Sequence, residues 1–204
     1  MMRFLPALLL AATLLGGLVS GPTAADSWPT PEAAYQATRV MDAGGMQMSG
    51  RLYHDRGKER WEVQMQGMTQ VMLLRPDLDK MFMLMPEMNI AMEMPFAFGA
   101  NIPTPERYAG NAPEVVGREV IAGEETTKYK FEGDDGTGPY TVLYWLTDDG
   151  ITLRTEGSSP QGSFAMHLEG LDRGDQPAAL FELPAGVQVM PADPAMTNQM
   201  IPGQ

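Results

Sequence analysis

Alternation of apolar and polar residues runs through most of the chain and predicts β-strands rather than helices. The clearest case is Lys58–Gln66. Trp61, Val63 and Met65 alternate there with charged and amide side chains, as in a strand with one dry face and one wet face. Similar segments, separated by turn residues, predict about ten strands in one antiparallel meander. The other predicted strands are Ala37–Asp42, Met46–Tyr53, Met68–Leu74, Val115–Ile121, Thr126–Glu132, Tyr140–Leu146, Ile151–Glu156, Ser163–Leu171 and the two arms of a hairpin over Lys80–Pro95.

The hairpin over Lys80–Pro95 is predicted to be apolar on both faces. Phe82 and Leu84 lie on one side of its first strand. Two prolines and an apolar period of two disfavour a helix, and the turn is expected at Pro86–Asn89. The methionines that share the other side are Met81, Met83, Met85, Met92 and Met94. Because thioether side chains are flexible and polarisable, this surface is expected to adapt to guests of different shape.

The predicted sheet has a dry face and no long amphipathic helix to cover it. Such a face is buried by curling of the sheet, by a second sheet, or by a lid or ligand. The segment Pro95–Pro113 is rich in proline and glycine and carries Phe96 and Phe98. Its composition predicts a long loop, and the two rings predict that it packs on an apolar surface. We expect this loop to be the lid.

Both ends of the chain are predicted to lie outside the sheet. Arg3, the apolar run Leu5–Val19 and the small residues before Asp26 have the pattern of a cleaved signal peptide. The run, at roughly 15 residues, is shorter than the ~20 that span a bilayer. A turn or two of helix is expected around Glu32–Gln36, and Met190–Gln204 is expected to be a frayed tail.

Length and composition predict one exported domain. The 204 residues divide into a signal peptide (1–25), a folded domain (26–189) and a flexible tail (190–204). The chain has no cysteine, and therefore has neither disulfides nor a cysteine for lipid attachment. Its formal net charge of −12 argues against nucleic acid as a partner. We expect a periplasmic protein.

The clustering of methionine admits three interpretations. Eleven of the 18 methionines fall between Met46 and Met94. They are ordinary core residues, a deformable surface for acyl chains or another apolar guest, or soft ligands for Cu(I). Copper sites usually include His or Cys, and neither occurs in the hairpin over Lys80–Pro95.

Other candidate chemistry is sparse. His54 is expected to be solvated in a turn beside Asp55, and His167 is expected on a wet face with Glu169. No nucleophile motif accompanies either histidine, and no glycine loop of the phosphate-binding type is present. We expect no enzymatic activity, no cofactor and no resident metal.

The order of several short segments between residues 37 and 189 resembles a known superfamily. The segments are Gly50-Arg51-Leu52-Tyr53, Lys58-Glu59-Arg60-Trp61, Val71-Met72-Leu73-Leu74-Arg75-Pro76-Asp77, Lys80-Met81-Phe82-Met83-Leu84-Met85-Pro86, Leu146-Thr147-Asp148-Asp149-Gly150-Ile151 and Leu180-Phe181-Glu182-Leu183-Pro184-Ala185-Gly186-Val187. Their order and spacing resemble the periplasmic lipoprotein-localisation carriers and outer-membrane lipoprotein receptors (LolA/LolB-like). The resemblance implies a mainly β fold, a curved antiparallel sheet of about eleven strands that forms an unclosed β-barrel with a loop or short-helix lid.

The same resemblance implies roles for individual residues. In the carriers an arginine on an early strand latches the lid, and Arg60 fits that position best. Phe96 and Phe98 would belong to the lid. The cavity for acyl chains would be lined by Met48, Trp61, Met65, Met81, Met83, Met85, Met92 and Met94. The chain departs from the family pattern in its lid, which is rich in proline and glycine, and in its reliance on methionine.

The sequence therefore predicts a non-catalytic periplasmic protein that binds or carries a hydrophobic ligand such as lipid or lipoprotein acyl chains. A membrane-associated protein is the candidate partner for loading or unloading. Two alternatives remain: a methionine-rich copper-handling protein, and a lipid-sensing interaction module on the same fold, as in the anti-sigma-factor regulators of that superfamily.

Overall fold

The computed structural model describes residue 31 and residues 33–96, 113–134 and 138–192. In this part of the chain twelve strands form one curved sheet that is not closed into a barrel, which confirms the predicted mainly β fold. The strands are β1 (Tyr35–Ala43), β2 (Met46–Asp55), β3 (Lys58–Met65), β4 (Met68–Arg75), β5 (Lys80–Met85), β6 (Ile90–Pro95), β7 (Glu114–Ile121), β8 (Glu124–Asp134), β9 (Pro139–Thr147), β10 (Thr152–Ser159), β11 (Gly162–Arg173) and β12 (Gln188–Pro191).

Two meanders make up the sheet. The spatial order is β12-β6-β5-β4-β3-β2-β1-β11-β10-β9-β8-β7. The first meander, β1–β6, and the second, β7–β11, therefore join in the middle of the sheet, where β1 pairs antiparallel with β11. At one edge β12 returns beside β6 and pairs with it in parallel.

Two equivalent tight turns shape the methionine-rich strands. Pro76–Leu78 and Pro86–Met88 each form one 3₁₀ turn, followed by Asp79 and Asn89 with φ of 54° and 56°. Proline supplies the φ angle that begins such a turn, and Asp and Asn tolerate the left-handed conformation that ends it. The predicted turn at Pro86–Asn89 is confirmed, and it sets β5 and β6 in direct register.

One side of the sheet carries most of the methionines. Directly paired residues of neighbouring strands point to the same side. By the observed register Met41, Met48, Met72, Met83 and Met92 share one side, which we call the methionine face. Its central core consists of buried residues from both meanders: Tyr35, Ala37, Leu52, Trp61, Val63, Ile151, Leu153 and Leu168.

A C-terminal segment covers the other side of β4–β6. Residues 174–187, which we call the strap, run across this opposite face and lead into β12. Phe181 of the strap is 1% exposed and packs on Val71, Leu73, Phe82, Leu84 and Ala91. Arg75 holds the strap through a hydrogen bond from Nη1 to the Phe181 carbonyl oxygen at 2.8 Å. The strap explains how the face of the hairpin that carries Phe82 and Leu84 is buried.

Gly50 is required by the close packing of β2 on β3. A Cβ at this position would overlap the backbone carbonyl of Glu62 and lie 3.0 Å from Nε1 of Trp61. Backbone atoms cannot move aside as a flexible side chain can, so only glycine allows the Trp61 ring to lie over β2 at this point.

The structure corrects two predicted boundaries. Tyr35 and Gln36 belong to β1 rather than to a helical turn, because the Tyr35 ring is buried in the core. Met190 and Pro191 belong to β12 rather than to the tail. Backbone hydrogen bonds at both ends of β12, from Gln188 N to Asn89 O and from Ala192 N to Glu93 O, tie this strand to β6. The predicted signal peptide and residues 193–204 lie outside the described residues.

Candidate ligand-binding face

Four methionines form one row across neighbouring strands of the methionine face. Met72 of β4 pairs with Met83 of β5, which pairs with Met92 of β6. Met92 pairs in turn with Met190 of β12. Directly opposed Cβ atoms in an antiparallel pair are about 4.5–5.5 Å apart, so neighbouring thioethers of this row can contact each other. We call the row the methionine ladder; all four side chains are half-buried, and Trp61 is the next residue along it on β3.

The row next to the ladder belongs to the core. Leu74, Met81 and Met94 are 3–4% exposed and pack together with Ala192 and the ring of Phe96. Of the methionines predicted to line the ligand site, Met81 and Met94 are thus buried. The others are half-buried and remain partly accessible, and they are Met48, Met65, Met83, Met85 and Met92.

The methionine face extends beyond the residues that the sequence singled out. Met41 of β1 pairs with Met48 on one side and with Met166 of β11 on the other. Met65 pairs with Met68 at the hairpin between β3 and β4. The sequence did not connect Met166 or Met190 to this face, because pairings between strands so distant along the chain leave no local signal.

Trp61 lies beside a largely buried ion pair. The ring is 2% exposed, and the Arg39 guanidinium carbon lies 5.8 Å from its centroid. Arg39 Nη2 donates to both carboxylate oxygens of Glu59, at 2.9 and 3.0 Å. Among the described residues, Arg39 Nε and Trp61 Nε1 have no hydrogen-bond partner. Two charges removed from water are costly unless they are paired, so this pair holds Arg39 and Glu59 in fixed positions on the methionine face.

Sequence reasoning missed this ion pair. In the sequence, Arg39 and Glu59 look like ordinary polar residues between apolar ones. The available signal was alternation, because Glu59 lies two residues before Trp61 and therefore shares its face.

Arg60, the predicted latch of the lid, does not lie on the methionine face, and its role as a latch stays a prediction. Arg60 lies on the opposite face from Trp61, where Nη1 donates to the Leu180 carbonyl oxygen at 3.2 Å and Nε donates to Glu62 at 2.6 Å. It therefore contacts the strap. Phe96 packs on the methionine face, whereas Phe98 lies outside the described residues, and the lid stays a prediction.

His54 is buried rather than solvated, which corrects a prediction from the sequence. It is 2% exposed and stacks on Tyr35 with ring centroids 4.8 Å apart. Nε2 accepts a hydrogen bond from the Gly57 backbone N–H at 3.1 Å, and Nδ1 lies 3.4 Å from the Ala33 carbonyl oxygen. Burial lowers the pKa of His54, and burial also raises the pKa of Tyr35 above its usual range. His167 lies beside Glu169 on the opposite face, as predicted.

The described residues contain no group of three or more His, Cys, Asp or Glu side chains that could hold a metal ion. Two open cavities, of about 370 and 380 Å³, lie away from the predicted ligand residues. The first is at the ends of β9–β11, beside Phe164 and Gly157. The second is beside Arg173, which binds both Glu124 and Asp149.

No long apolar helix occurs in the part of the chain that the structure describes, so none of its helical segments could cross a membrane.

Comparison with known proteins identifies the fold. No protein-family model matches the sequence, and no curated protein matches it. An uncharacterised conserved protein from Thermus thermophilus is similar with a TM-score of 0.55 and 14% identity, over 78% of this chain and 91% of that chain. MucB in the Pseudomonas aeruginosa MucA/MucB complex is similar with a TM-score of 0.53 and 16% identity, over 78% of this chain and 59% of that chain.

At these identities the likeness shows the fold alone, and this chain spans little more than half of the MucB chain. The fold that is supported is a curved antiparallel sheet that is not closed into a barrel.

Proposed function

We propose that the methionine face binds the acyl chain of a lipid or lipoprotein, and that the protein is a non-catalytic periplasmic carrier or binding protein. The observation that supports this proposal is a continuous surface of half-buried methionines across β1–β6 and β11. A core would bury these side chains completely, as it does Met81 and Met94. The half-buried methionines retain apolar area that a guest can cover.

The chemistry of the surface suits an uncharged hydrocarbon. Between β4 and β6 the methionine face carries no charged side chain, and Gln70 is its one polar residue. Burial of a complete methionine side chain contributes about 1.5–3 kcal/mol, so covering several half-exposed ones supplies enough free energy for a reversible complex. Flexible thioethers can follow a chain that bends. A membrane-associated protein remains the proposed loading partner.

A charge on the methionine face tests the proposal. Met83→Glu should abolish binding of 11-(dansylamino)undecanoic acid, measured by dansyl fluorescence, while the protein remains folded because the half-buried carboxylate can recruit water. Val120→Glu is the matched control, since it adds the same charge at a position that is 61% exposed on β7. A folded Met83→Glu protein that binds the probe with native affinity would contradict the proposal.

Bound lipid and location can be tested on the exported protein itself. Native mass spectrometry of protein purified from the periplasm should show an additional lipid mass on a chain that begins at Asp26. A chain that retains residues 1–25 would contradict the predicted signal cleavage, and the absence of lipid at low collision energy would weigh against a tightly held cargo.

A protein-binding role is the second candidate. Its support is the edge strand β7, whose Val115 and Val120 are 60% and 61% exposed. An exposed apolar edge is a template for an added strand. MucB, which shares the fold, was solved as a complex with MucA. Loss of a co-purifying protein in a Val115→Lys/Val120→Lys variant, with acyl-probe binding unchanged, would favour this role.

A further inference from the structure

The methionine ladder places four neutral sulfur donors in one row. The register of β4, β5, β6 and β12 brings Met72, Met83, Met92 and Met190 side by side, although Met72 and Met190 are far apart in the sequence. The two 3₁₀ turns fix the first three strands relative to each other. All four side chains are half-buried, so an ion in solution can reach them.

Thioethers select one class of metal ion. They are soft, uncharged ligands, and among biological metals they favour Cu(I) over the harder divalent cations. Each methionine has three rotatable side-chain bonds, so sulfurs whose Cβ atoms are about 4.5–5.5 Å apart can converge on one ion. A monovalent ion held by neutral ligands does not require a balancing carboxylate.

We propose that the methionine ladder is a binding site for Cu(I), with the sulfurs of Met72, Met83 and Met92, on three adjacent strands, as ligands. This inference does not depend on the proposed acyl-chain function, although the two guests would share one face. The formal net charge of −12 favours accumulation of cations near the protein.

The ladder is the less polar of the two rows of methionines. Met166, Met41 and Met48 also pair directly, but the ion pair of Arg39 and Glu59 lies on the same face, with Arg39 two residues from Met41. No charged side chain lies on the methionine face of β4, β5 or β6.

Competition with a chromogenic chelator measures the proposed affinity. The folded full chain is titrated anaerobically with Cu(I) in the presence of bicinchoninate, for the native protein and two double variants. Met83→Leu/Met92→Leu removes two ladder sulfurs and should weaken Cu(I) binding by roughly tenfold or more, about 1.4 kcal/mol or more. Met81→Leu/Met94→Leu makes the same changes in the same two strands, at buried positions, and should bind as the native protein does. Leu and Met have similar volumes, so both variants should fold.

The ligand type provides an independent readout. Thioethers have no proton to lose, so the affinity should not change between pH 7.5 and pH 5.5, whereas a site built from His or carboxylates would weaken on acidification. X-ray absorption at the copper edge should show sulfur neighbours only. Binding that falls with pH, nitrogen or oxygen neighbours, equal loss in both double variants, or loss confined to a Met41→Leu/Met166→Leu variant would each overturn the assignment.

The same variants separate this proposal from the acyl-chain function. Met→Leu changes keep the apolar surface, so the ladder variant should still bind 11-(dansylamino)undecanoic acid. Native protein that binds the fatty-acid probe but no Cu(I) would refute the metal site alone. Native protein that binds Cu(I) but no probe would refute the acyl-chain function alone.

Discussion

The two meanders differ on the side of the sheet opposite the methionine face. In β4–β6 both faces are apolar, and the strap covers the face opposite the methionine face. In β8–β11 the opposite face is polar and needs no cover. The aromatic ring of Trp145 lies there between two cations, with Lys128 Nζ 4.6 Å and Arg154 Cζ 5.0 Å from its centroid. Glu119 accepts a hydrogen bond from Trp145 Nε1, which lowers the pKa of that carboxyl.

The difference shows that the alternation of apolar and polar residues indicates which strands need a covering layer on their second face. A strand with a wet face is stable in a single sheet, whereas a strand that is apolar on both sides requires a second covering layer. The first meander obtains that layer from residues 174–187, which follow the whole second meander in the chain, and Met72, Met83 and Met92 on its methionine face stay half-buried.

The largest expected effect comes from placing the same charge on the opposite face of each meander. Leu84→Glu should prevent folding, because Leu84 is 1% exposed beneath the strap and a buried carboxylate costs more than the ~5–15 kcal/mol stability of a domain. Leu143→Glu should fold, because Leu143 is half-buried on the polar side of β9, where it pairs with Lys130. Circular dichroism and proteolysis measure the outcome. If both variants fold, the strap does not seal its face.

Removal of the strap's anchor should have the next largest effect. Phe181→Ala should lower the free energy of unfolding by about 3–5 kcal/mol, because it leaves a cavity over β4–β6. Phe164→Ala is the control in the second meander, where the ring is 36% exposed over Gly157, and it should cost far less. Urea denaturation gives both values. Equal losses would contradict the distinction between a covered and an open half.

The buried histidine should make the first meander sensitive to mild acid. The lowered pKa of His54 means that the unfolded state binds the proton first as the pH falls below about 6.5. Stability is therefore complete above this pH and declines below it, by at most about 1.36 kcal/mol per pH unit, until the folded-state pKa is reached.

Urea denaturation at pH 7.5 and pH 5.5 tests the sign of this effect. His54→Gln should flatten the dependence, since the group that takes up the proton is absent. His167→Gln, which changes a side chain that is 46% exposed, should leave the dependence as it is. If the stability of the His54 variant changes with pH as much as that of the native protein, other groups cause the acid sensitivity.

The smallest expected effect concerns the stacked cations of the second meander. Lys128→Met should reduce stability by ~0.5–1 kcal/mol, because it removes a cation from the face of Trp145 while it keeps the apolar stem. A double-mutant cycle with Trp145→Phe measures the coupling between the two side chains, and a coupling energy of zero would show that Lys128 does not stabilise the ring.

The sequence by itself determined the strands, their turns and the division of the methionine hairpin into two apolar faces. Alternation between neighbours and the turn preferences of Pro, Asp and Asn are local properties, so segments such as Lys58–Met65 and the turn at Pro86–Asn89 could be predicted. The resemblance in segment order was sufficient for the curved, unclosed sheet.

Only the tertiary structure decided which residues meet across that sheet. Alternation placed Arg60 on the face opposite Trp61, but only the structure shows that the strap covers it there, because alternation does not say which face a distant segment covers. His54 was expected in solvent because its cover, the Tyr35 ring, comes from a different strand, β1. Met190 joined the methionine ladder through parallel pairing of β12 with β6, which no local pattern encodes. Register between strands that are distant in sequence depends on the packing of the whole sheet, and that packing created the candidate site.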